Sequence, residues 1–148
     1  MKFKFEQQSG SKKVLKDVTA LVARIGVGVV FLAHGWQKFT EWGLDGTAAA
    51  FGKMGVPLPT VSAWFAATVE VAGGLALIAG VALPVAGILL AVDMAGALVI
   101  VHLPNGLLGQ GGYELVLVLG VAALALGFNG GSFALDRLLF KKKTPVNA

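Results

Sequence analysis

The chain has no cysteine among its 148 residues. Disulfide staples, thiolate metal sites and thiol exchange by the chain itself are therefore excluded, because each needs a sulfur that is not there. Charge is scarce as well: only 14% of residues are Asp, Glu, Lys or Arg, with eight acids against twelve bases. Phosphate loops, nucleophile elbows and nicotinamide fingerprints are missing too, since the glycines fall within apolar runs or turns and lack the strand-turn-helix setting those motifs require.

What the chain has instead is apolar side chain, 56% of residues with a mean hydropathy of +0.79. One soluble core of this size cannot hide that much, so the sequence predicts an integral membrane protein. Four apolar segments cover residues 18–39, 61–83, 84–103 and 113–128. The first, at about 1.5 Å per residue, is long enough for a hydrocarbon core of about 30 Å, whereas the fourth is short for a bilayer. The first run ends in His34-Gly35-Trp36-Gln37-Lys38 without an Ala-x-Ala site, which reads as a span leaving lipid rather than a cleaved signal peptide.

Nine of the twelve bases lie at the ends: Lys2, Lys4, Lys12, Lys13, Lys16, Arg137, Lys141, Lys142 and Lys143. Basic segments stay in the cytoplasm, so both termini are inside and the number of spans is even. The expected architecture is all-α: an integral membrane four-helix bundle, antiparallel, both termini cytoplasmic, with short interfacial helices. Residues 1–17 and 137–148 are read as basic cytoplasmic tails flanking a membrane domain at 18–136. The tails suit anionic lipid headgroups and not nucleic acid. Asp45 or Thr47 is expected to cap a short helix at Ala48–Phe51, and Ser132 one at Phe133–Phe140. Small residues at intervals of four, Ala72-Ala76-Gly80 and Gly87-Ala91-Ala95, predict close packing of the second span on the third as a hairpin.

Ionisable residues inside spans carry the functional information, because each costs roughly 2.5–3.5 kcal/mol at the bilayer centre and is normally turned inward. Arg24, His34 and Lys38 fall within about an 80° arc of the first helix. Glu70 and Asp93 sit near mid-span, and His102 and Glu114 near the outer ends. His34, Lys38, Glu70 and Glu114 are the expected lining of an outward-facing polar pocket. Arg24, Asp93 and His102 complete a buried polar network; His102 lies nine residues after Asp93, roughly the opposite face of a straight helix. The competing reading is an ion-pair network that only fixes helix order. Two histidines on different helices also leave haem or metal ligation open, and Trp36, Trp42 and Trp64 read as an interfacial aromatic belt.

The chain resembles the DoxX family of small bacterial membrane proteins. The resemblance rests on Arg24, Phe31 to Lys38, Gly55-x-Pro57, Glu70-Val71-Ala72-Gly73-Gly74, Asp93-Met94, His102, Glu114 and Ser132-x-x-Leu135-Asp136, in order along the chain. It implies a four-span plasma-membrane protein found beside redox enzymes, with thiosulfate-to-quinone electron transfer in the namesake subunits and thiol-stress defence elsewhere. The leading expectation is an accessory subunit, without independent catalysis, that anchors or assists membrane-bound redox or respiratory enzyme subunits. The alternative is a quinone-binding oxidoreductase subunit in which His34 or Lys38 hydrogen-bonds a quinone carbonyl and Glu70 supplies protons. A small-solute carrier is a weaker reading, since no broken-helix pair or inverted repeat is visible.

Overall fold

A computed structural model describes the backbone of residues 2–140 and the side chains of residues 9–140. Among the described residues helix is the only regular secondary structure. Its order is α1 (Lys2–Thr40), α2 (Gly43–Lys53), α3 (Pro59–Ala79), α4 (Leu83–Gly96), α5 (Glu114–Phe128) and α6 (Leu135–Leu139). Beyond Gly96, α4 continues as a π-helical turn, Ala97–His102, and a 3₁₀ turn, Leu103–Asn105. Three helices are long and apolar enough to cross a membrane, and the fifteen-residue α5 joins them as the shorter fourth.

The boundaries follow local chemistry. Pro59 and Pro84 stand in the first turns of α3 and α4, where a missing N–H costs nothing. Gly80, at φ +76°, closes α3 in the left-handed conformation that glycine adopts without Cβ strain. The first helix starts earlier than the apolar run. Residues read as a basic tail continue α1 as helix back to Lys2, although those described from Ser9 to Lys16 are exposed. The Lys141–Lys143 clamp lies outside the described residues.

Packing also differs from the expected hairpin. A close backbone approach joins α1 to α3: a Cβ at Gly74 would sit 2.7 Å from the Gly28 carbonyl oxygen, and one at Gly35 would sit 2.7 Å from the Val71 nitrogen. A second weld joins α4 to α5, where a Cβ on Gly87 would lie 2.6 Å from the Ala123 oxygen and 2.8 Å from Gly127 Cα. Between α3 and α4 the contact is glycine against side chain, Gly73 receiving Leu90. Gly87 thus serves α5 rather than α3, and Gly80 serves as a helix stop. Small residues mark a close approach without naming the partner. The core between the two pairs is Phe31, Leu77, Leu90, Met94, Leu119 and Leu126.

The cytoplasmic end is held by charge. Asp136 accepts hydrogen bonds from the N–H groups of Ala82 (2.8 Å) and Leu83 (3.0 Å), and its own N–H donates to Gly80 O at 2.9 Å. Its carboxylate thereby caps the first turn of α4, with Ala82 held at φ +47°. Ser132 does not cap α6; its N–H donates to Asp17 Oδ1 at 2.9 Å, tying the C-terminal segment to α1. Asp136→Ala is expected to lower stability by about 1–2 kcal/mol, the usual cost of a lost cap plus newly unsatisfied N–H groups, with Asp136→Asn losing less. Thermal unfolding in mild detergent checks this.

Candidate functional site

The buried face of α1 is Arg24, Gly28, Phe31, Gly35 and Lys38, spaced four, three, four and three residues apart. That spacing keeps one stripe against the bundle, so the glycines that let α3 approach also aim two cations inward. Near the outer end Lys38, 8% exposed, places its Nζ 2.6 Å from Oε2 of Glu70, 4% exposed, on α3. The ammonium also donates to the backbone oxygen of His34, 3.4 Å away. The side chain thus folds back toward the helix N-terminus, as helical side chains do, instead of snorkelling outward.

Asp93 of α4 completes the group. The Lys38 charge acts on it and its carboxyl is within hydrogen-bond reach of the Glu70 carboxyl, while its buried Oδ2 faces no donor. One ammonium and two carboxyls therefore meet where α1, α3 and α4 converge. A carboxyl oxygen away from water with no donor facing it costs on the order of 1–3 kcal/mol, a cost that either a proton shared with Glu70 or a donor from elsewhere offsets. Thr47 of α2 roofs the end of α1: 1% exposed, it donates to Lys38 O at 3.4 Å and Gly43 O at 2.9 Å. It was expected as a helix cap and instead sits inside α2.

The seven titratable residues do not form one network. Lys38, Glu70 and Asp93 meet. Arg24, 0% exposed, is at the cytoplasmic end, where Nη2 donates to Phe133 O at 3.2 Å and the Asp136 carboxylate is the opposing charge, with Nε and Nη1 unpartnered. His102 Nδ1 bonds Gly111 O at 2.7 Å, with Asn105 Nδ2 donating to the same oxygen at 3.0 Å, so His102 ties down the outer loop. His34 and Glu114 are both exposed. The depth ordering read from the sequence brings Lys38 to Glu70, while helix rotation turns His34 and Glu114 away. Asp136, Asp17 and Thr47 were not singled out as tying elements together; the signal for Asp136 was an acid within an otherwise basic C-terminal segment.

With this geometry in view, comparison with known proteins decides the family. The DoxX family model matches residues 19–103, more than half of the chain. The chain belongs to the DoxX family. Its DoxX relatives include "Putative oxidoreductase CatD" of Bacillus subtilis, 34% identical over 132 residues, covering 88% of this chain and 94% of that protein. The inner membrane protein YqjF of Escherichia coli is 33% identical over 144 residues, covering 88% and 98%. An uncharacterized membrane protein of Mycobacterium tuberculosis is 33% identical over 143 residues, covering 88% and 86%. No solved structure matches. This DoxX chain is accordingly a multi-pass protein of the bacterial plasma membrane, and Lys38, Glu70 and all of α4, Asp93 included, fall inside the matched residues.

Proposed function

We propose that this DoxX-family chain is the membrane subunit of a redox enzyme system and that its Lys38–Glu70–Asp93 group receives the polar head of a lipid-soluble quinone. The observation that carries the reading is Asp93 Oδ2, buried and without a partner beside an ion pair. A scaffold would be better served by apolar packing, because a buried ion pair adds little net stability and a spare carboxyl subtracts from it. A relative whose printed name is an oxidoreductase supports the redox setting.

In this reading Lys38 is the hydrogen-bond donor and positive charge for a carbonyl oxygen, held in place by Glu70. Asp93 and Glu70 are the carboxyls that pass protons to and from the ring oxygens. Electrons come from a partner oxidoreductase in this reading, and the chain has no cysteine that could supply them. Quinone reduction then takes two electrons from that partner and two protons through the carboxyls.

The test is purification in mild detergent with its co-purifying enzymes, followed by titration with decylubiquinone. Asp93→Asn is expected to weaken quinone binding at least about tenfold, a loss of about 1.4 kcal/mol, while the same partners still co-purify. Unchanged binding and partner activity in both Asp93→Asn and Glu70→Gln would reduce the chain to a bare anchor.

A further inference from the structure

On α1, Ala23, Val27 and Val30 pack against the core shared with α4 and α5. Counted at about 100° per residue, these three and His34 lie on one stripe about 60° wide. His34, the next residue outward, is exposed. The facing helix repeats the pattern. On α5, Leu119 and Leu126 are buried and Ala122 is half-buried, but Leu115, one turn further out on the same face, is 50% exposed. Two faces covered toward the cytoplasm are thus both uncovered toward the outside.

At the cytoplasmic end these helices are tied. A Cβ at Gly131, just past α5, would meet Ala20 Cβ at 3.0 Å, and Ser132 is bonded to Asp17. Toward the outside the partnerships are different: α1 is welded to α3, α5 to α4. From these two uncovered outer faces, His34 on α1 and Leu115 on α5, we infer a wedge between the helices at that end.

We propose that this wedge, between the outer halves of α1 and α5, is a lateral mouth through which a membrane-borne quinone reaches Lys38 and Asp93, with His34 as the positioning residue at its lip. The occupant follows from the chemistry at the two ends of the path. Leu115 and the exposed Val118 offer apolar surface to an isoprenoid-like tail. The inner end offers an ammonium and the unpartnered Asp93 Oδ2 to a ring oxygen. His34 lies one helical turn before Lys38 on α1, so the exposed residue at the lip and the buried ammonium share one helix. The proposal rests on the quinone reading above and adds its route.

The full chain in phospholipid vesicles, with a photoreactive azidoquinone as probe and decylubiquinone as competitor, tests it. Adducts are expected on residues 31–38 and 112–119, and competitor should remove them. Leu115→Trp, a change at an exposed position that should fold normally, is expected to weaken decylubiquinone binding about tenfold, and Val121→Trp, exposed on another face of α5, to leave it unchanged. His34→Ala should slow binding more than it changes the final affinity, since a lip residue guides passage. Binding that persists with adducts only on α2 and α3, or that ignores Leu115→Trp, overturns the mouth and leaves the site standing. Equal labelling of the mouth by a photoreactive phospholipid, undisplaced by decylubiquinone, assigns it to lipid and overturns the proposal. No quinone binding by the wild type removes both readings.

Discussion

Lys38→Met is expected to cost about 3–5 kcal/mol, because it leaves the Glu70 and Asp93 carboxyls facing each other without their cation. The pair of carboxyls then loses the positive charge that offset its burial. Glu70→Leu should cost less, since Asp93 remains within reach of the Lys38 charge. The ranking of these two variants is the informative result. Unfolding of the purified protein in mixed detergent and dodecyl sulfate, followed by circular dichroism, measures it. A Glu70→Leu loss as large as that of Lys38→Met would mean that Asp93 does not share the lysine.

Gly74→Ala is the second large effect, expected at about 1–3 kcal/mol or more. The added methyl would press on the Gly28 oxygen at 2.7 Å and the Leu32 nitrogen at 2.8 Å, both backbone atoms that cannot swing aside. α1 must then move off α3, and that movement pulls Lys38 away from Glu70, so loss of stability and loss of quinone binding should appear together. Gly26→Ala is the matched control, because nothing lies within 4 Å of a Cβ there. It should be neutral or stabilising by up to about 1 kcal/mol through helix propensity. The same unfolding assay reads both, and a neutral Gly74→Ala would mean that the α1–α3 contact is looser than described.

Periodicity and composition made the helices legible, and charge asymmetry gave their orientation, because each is a local property of the chain. Depth was legible too: Lys38 near an outer end and Glu70 in mid-span could be matched by counting residues. Rotation was not. His34 lies within about 80° of Arg24 on an ideal helix and was grouped with it, yet a few tens of degrees separate a residue facing the core from one at an open lip. Helix adjacency was hidden for a related reason. A glycine such as Gly87 permits close approach, but the backbone it admits, here that of Ala123 and Gly127, is chosen by the whole bundle. Asp136 was quoted only as part of the family resemblance, because its partners are backbone N–H groups at Ala82 and Leu83, and backbone leaves no mark in the sequence.

The welding of α1 to α3 bears on how the protein is made. As the ribosome extends the chain, α1 meets the bilayer before Glu70 or Asp93 has been synthesised, so its two inward-facing cations, Arg24 and Lys38, must wait unaccompanied. Lys38 stands two residues from the end of α1 and Arg24 near the opposite border of the apolar run, each within a side chain's length of headgroups. The acids occupy deeper positions on helices that arrive later, when a countercharge is already there to meet them.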